Sequence, residues 1–90
     1  MPSGKFTYTN KRQHLLNIMI EPWGEDYWIP PGETFEFLPE SAKDDFFFEV
    51  TDHGSYIAVY FDGDCSYTAV YHAGRKLECG HNRPPDAFKA

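Results

Sequence analysis

The chain is short of cysteine, short of positive charge and without a long apolar run, and each shortage removes a class of function. Two cysteines in 90 residues, Cys65 and Cys79, cannot build the disulfide framework of a small secreted domain. Both read as free thiols in a reducing cytoplasm, with their pairing as the alternative. Eight Lys and Arg stand against 14 Asp and Glu, a formal charge of −6. The basic residues are also scattered, as Lys5, Lys11-Arg12, Lys43, Arg75-Lys76, Arg83 and Lys89. Binding to a phosphate backbone needs them clustered, so no nucleic-acid partner is expected. No apolar run approaches the roughly 20 residues of a membrane span, and the opening MPSGKFTYTNKRQ has no apolar core of a secretory signal. The expectation is a cytoplasmic protein with no membrane partner.

Aromatic residues are what the chain has in quantity: eight Phe, six Tyr and two Trp. A domain this small buries only about 60–65% of its unfolded surface, and large rings are the means of filling so small a core. They concentrate in residues 45–72, DFFFEVTDHGSYIAVYFDGDCSYTAVYH. Three runs rich in aromatic and β-branched residues, divided by Asp-His-Gly and Asp-Gly-Asp, predict three strands and two turns. YTAVYH repeats YIAVYF eleven residues on, which reads as two arms of one hairpin in similar environments.

Upstream, residues 6–9 predict a short edge strand. Residues 11–21 are ambiguous. Asn10 and Gln13 imitate a helix capping box, with Leu15, Leu16, Ile18 and Met19 on one helical face. As a strand, Leu16, Ile18 and Ile20 share one face and Leu15, Asn17, Met19 and Glu21 the other. The β-branched Ile18 and Ile20 favour the strand. Pro22 to Glu25 and Pro30 to Glu33 predict turns bracketing a strand at 27–29, and a further strand covers 34–38. Ala73-Gly74 predicts a last turn into a short strand at 76–79. The proline-bearing tail 81–90 is expected to be flexible or loosely packed beyond a single domain over 1–80.

Residues 15–24 (LLNIMIEPWG), the later IPPGE at 29–33, and a closing strand with Ala73-Gly74 and Leu77 resemble a class of small uncharacterised bacterial β proteins. Those carry an apolar strand, Glu-Pro-Trp-Gly, Pro-Gly-Glu and a hairpin ending in Gly-x-x-Leu. The resemblance covers roughly residues 15–78 and implies a fold, bacterial in style, without implying an activity. IPPGETFEF also resembles the turns of cupin barrels, but the paired metal histidines of cupins are missing, so their chemistry does not follow.

His14, His53, His72 and His81 with the two cysteines are metal-ligand types, yet only Cys79-Gly80-His81 lies at a close spacing, and zinc sites usually present two such pairs. Solvated histidines and a loop thiol explain them, so no metal or cofactor is expected. Asp62-Gly63-Asp64 runs directly into a strand and not on to the later oxygen ligands of a calcium loop. A nucleophile elbow, a local catalytic-cysteine signature and a phosphate loop are absent. An enzyme is not expected. Aromatic recognition is the strongest remaining reading. Trp23, Tyr27 and Trp28 lie close in sequence, and Tyr56, Tyr60, Tyr67 and Tyr71 would line one face of the hairpin, where rings stack on sugars or anchor an interface. The bland alternative is that these rings complete a small core.

The predicted fold is all-β, a small antiparallel β-sandwich or flattened barrel of about seven or eight short strands. Phe35, Phe37, Phe46, Phe48, Ile57, Val59, Phe61 and Val70 should form its core, joined by Leu16, Ile18 and Ile20. The expected function is a non-enzymatic binding or protein-interaction module that recognises an unidentified protein partner or forms a homodimer through an aromatic sheet face. The alternative is a carbohydrate or small-ligand module using Trp23, Tyr27 and Trp28.

Overall fold

The computed structural model describes residues 6–21, 23–40, 47–62 and 67–87, the side chains of 39, 40, 47, 48, 61, 62 and 67 excepted. Eight strands run β1 (Phe6–Thr9), β2 (Leu16–Glu21), β3 (Glu25–Ile29), β4 (Thr34–Glu40), β5 (Phe47–Asp52), β6 (Tyr56–Asp62), β7 (Tyr67–His72) and β8 (Arg75–Lys76). Among the described residues there is no helix, hence none long and apolar enough to cross a membrane.

The strands make two four-stranded sheets, ordered β1-β4-β7-β8 and β3-β2-β6-β5. Alternation dictates which side chains meet between them. Phe35 and Phe37 of β4 and Val70 of β7 come from the first sheet; Leu16, Ile18, Ile20, Tyr27, Ile29, Ile57 and Val59 come from the second. With Leu77 they form one buried cluster, against which Phe6, Tyr8 and Trp23 pack. The all-β expectation holds, and every predicted core residue whose side chain is described, eight of the eleven, is in this cluster. Phe46, Phe48 and Phe61 lie outside the described side chains.

Two expectations are corrected by the strand order. The second sheet is mixed, because β2 runs parallel to β6 with Asn17 opposite Tyr56 and Ile20 opposite Val59. Its halves are the antiparallel hairpins β2–β3 and β5–β6, joined side by side through strands that point the same way. Nor are YIAVYF and YTAVYH arms of one hairpin: β6 belongs to the second sheet, while β7 pairs with β4 and β8 in the first. Their likeness has a different cause. Each is an interior strand of its own sheet, and the aligned triplets Ile57-Ala58-Val59 and Thr68-Ala69-Val70 are all buried.

The 11–21 ambiguity resolves as a strand. Asn10 is fully buried and does not cap a helix. Its Nδ2 donates to the carbonyls of His14 (2.8 Å) and Ile29 (2.7 Å), and its Oδ1 accepts from the Arg12 amide (2.8 Å). Its own backbone pairs with Glu33 and Gly32. One side chain thus ties the β1–β2 connection to the β3–β4 turn, with every polar atom satisfied. The predicted Ala73-Gly74 turn is present, both residues having positive φ (51° and 82°) as the tightest hairpins require. The strand after it is shorter than predicted, since the chain leaves at Leu77 to dock against β3.

That docking occupies the residues expected to be loose. The Gly80 amide donates to the Asp26 carbonyl (2.7 Å) and the Trp28 amide to the His81 carbonyl (3.0 Å), with Tyr27 and His81 in a parallel bridge. Residues 79–83 therefore cover the otherwise open edge of β3, which an exposed sheet edge requires. Positions 88–90 lie outside the described residues.

Candidate functional site

The outer face of the second sheet is set by register. Across β3, β2 and β6, Asn17 stands opposite both Trp28 and Tyr56. The next row on that face is Asp26, Met19 and Ala58, and beyond it Glu21 stands beside Tyr60. Neighbouring strands lie about 4.8 Å apart, so Trp28 and Tyr56 flank Asn17 with backbones about 10 Å apart. Between them lies a groove of about 470 Å³, lined by Asn17, Met19, Glu21, Trp28 and Tyr56 and closed by Ser55 and Ala87.

Both aromatic walls are held from behind. The Trp28 Nε1 donates to Asp26 Oδ2 at 2.8 Å. Asp26, 3% exposed, also accepts from Arg83 Nε (2.8 Å) and Nη2 (2.6 Å) in a two-pronged ion pair, and from the Cys79 thiol at 3.5 Å. The Arg83 guanidinium, opposed by burial and aided by the Trp28 indole, lowers the Asp26 carboxyl to about 2. Burial beside that carboxylate raises the Cys79 thiol. Gly80 gives Arg83 its room: a Cβ there, at φ 87°, would sit 2.8 Å from the guanidinium. On the other wall, His53 stacks on Tyr56 with ring centroids 4.7 Å apart and planes 15° apart. The turn that carries both is closed by the Gly54 amide on Asp52 Oδ1 (2.8 Å) and by Arg12, which reaches Asp52 and the Gly54 carbonyl. Those contacts lower the Asp52 carboxyl, the Gly54 amide foremost.

The floor is unusual. Asn17 is 7% exposed and its Oδ1 is buried with no hydrogen-bond partner. Among the described residues no other buried side-chain oxygen or nitrogen is left so, and an unmade bond of this kind costs about 1–3 kcal/mol.

The predicted aromatic groups do not survive intact. Trp28 and Tyr56 line the groove, and Tyr60 lies two positions along the same face at 44% exposure. Tyr27 is fully buried, its hydroxyl donating to Glu25, and Trp23 packs on the core. Trp23, Tyr27 and Trp28 are therefore not one cluster, because consecutive strand residues face opposite sides. Tyr71 lies on the first sheet, opposite Glu36, far from the shared face expected, and the Tyr67 side chain lies outside the described residues. Asn17, Met19, Glu21, Ser55 and Ala87 were not singled out from sequence. The usable signal was the polar set Asn17 and Glu21 on the strand face opposite Ile18 and Ile20.

His72, Cys79 and His81 line a second groove of about 460 Å³ with Arg75 and Lys76. Both histidine rings rest on Phe35, at 5.3 and 5.9 Å, and His72 Nε2 meets Glu33 Oε1 at 3.3 Å. Among the described residues no group of three or more His, Cys, Asp or Glu is placed to hold a metal ion. No family model, curated protein or solved structure matches this chain.

Proposed function

We propose that this chain is a non-enzymatic binding module whose site is the groove over Asn17, taking a small polar ligand that lies against Trp28 and Tyr56. The observation that carries this reading is the unpartnered Asn17 oxygen at the centre of an aromatic row. A buried acceptor that the fold itself leaves unpaired is open to a donor from outside the chain. Two rigid rings with a polar floor suit a sugar or another flat, hydroxyl- or amine-bearing molecule. The test is tryptophan fluorescence during titration with sugars and small polar amines, on the parent and on Asn17→Leu. A saturable change in the parent that weakens at least about tenfold in the variant supports the reading; about 1–3 kcal/mol per polar contact predicts that much. A flat response across the panel removes it.

A second reading, self-association or a protein partner through this sheet face, is favoured by Tyr60, a large ring 44% exposed on it. Light scattering across a concentration series decides it: mass rising towards a dimer supports it, and a monomer at every concentration ends the homodimer form.

A further inference from the structure

The groove's one buried polar atom without a partner and its one charged group are of the same kind, while the Ser55 and Tyr56 hydroxyls of the lining can donate or accept. Asn17 Oδ1 has no partner, and Glu21, a groove-lining carboxylate, makes no hydrogen bond or ion pair to any described residue. Both are acceptors. Among the described residues no lysine, arginine or histidine lines the groove, so a bound anion would meet the Glu21 carboxylate with no described cation of the lining to offset it. The walls add the same preference, because the faces of Trp and Tyr rings carry the negative side of the ring quadrupole and attract cations. The whole chain, at −6, biases the surrounding field in the same sense.

We infer that the groove takes a small organic cation, one bearing a primary ammonium or guanidinium group that donates to Asn17 Oδ1 and lies between the Trp28 and Tyr56 rings beside the Glu21 carboxylate. This rests on the binding reading above and sharpens it. The terminal torsion of an asparagine is broad, so a small turn of the amide brings the buried oxygen to the ligand. Met19 and Ala87 offer apolar surface to the carbon part of the molecule. The volume, about 470 Å³, is within the range of small-molecule pockets, roughly 300–1,000 Å³, which favours a free amine over the side chain of a protein partner.

The experiment is calorimetric titration of the full chain with agmatine, spermidine and glucosamine. Neutral N-acetylglucosamine and glucose, anionic glucose 6-phosphate and a short arginine-containing peptide amide serve as comparison ligands. The expected result is saturable binding of the free amines, about tenfold or more tighter than that of the neutral sugars, as a desolvated cation–π contact plus a carboxylate predicts. Glu21→Gln should lose most of that margin, while Glu78→Gln, equal in charge change and outside the groove, should not. Equal or tighter binding of neutral sugars overturns the cation preference and leaves the binding module standing. Tighter binding of the peptide than of any free amine overturns the small-molecule occupant. No binding by any ligand overturns both this inference and the reading on which it rests.

Discussion

Asp26 is where the stability of the domain should depend most sharply on pH. Its carboxyl falls from an ordinary 3.8 to about 2 in the folded chain. A group held below its unfolded value stabilises the fold fully above the unfolded value, and the contribution fades as the pH falls through the folded one. At about 1.4 kcal/mol per pH unit the shift amounts to about 2 kcal/mol. Arg83 is 43% exposed, so salt screens its half of the pair and this figure is an upper one. Asp26→Asn keeps the shape and deletes the charge. Urea unfolding of parent and variant between pH 7 and pH 2 isolates the effect, since all other carboxylates contribute alike to both. The variant should be less stable by about 2 kcal/mol at neutral pH, and the gap should shrink to about 0.5 kcal/mol by pH 2. A gap constant over that range, or one that widens on acidification, would refute the assignment of the shift to the Arg83 contact.

Three further outcomes follow from particular residues. Asn17→Leu removes the unpartnered oxygen and should raise the unfolding free energy from urea titration by about 1 kcal/mol; a lowered value would mean that the oxygen is satisfied within the fold. Gly80→Ala should cost about 1–3 kcal/mol from its positive φ alone, with a further loss because the new methyl displaces Arg83. That further loss should vanish when Asp26→Asn is already present, and an additive double mutant would argue against the displacement. Ala73→Asn should gain about 1 kcal/mol, because asparagine tolerates the left-handed backbone that alanine adopts there at φ 51°; unchanged thermal unfolding would count against it.

The strands were legible because the signal for them is local. Leu16, Ile18 and Ile20, Phe35 and Phe37, and Ile57 and Val59 alternate, and Pro30-Pro31-Gly32 and Ala73-Gly74 mark turns by their own backbone preferences. Which strands share a sheet was not legible. YIAVYF and YTAVYH carry the same pattern because both are interior strands, and a pattern reports environment, never partner. The parallel contact of Asn17 with Tyr56 and the grip of Arg83 on Asp26 join residues with no sequence relation. The aromatic triad is a different failure, since strand parity alone separates Tyr27 from Trp28. Asn10 misled for a chemical reason: the side chain that caps a helix will as readily bond loop backbone.

The parallel seam between β2 and β6 bears on how the second sheet comes together. Each flanking hairpin is built from near neighbours and closes a short loop, whereas the seam brings together distant parts of the chain, which is the slower event for entropic reasons. Trp28 and Asn17 belong to one hairpin and Tyr56 to the other. The row of Trp28, Asn17 and Tyr56 therefore straddles a long-range junction, and either hairpin alone would own one wall of the groove without its opposite. A ligand of the kind proposed, which needs both walls, would therefore report on whether the two hairpins have joined.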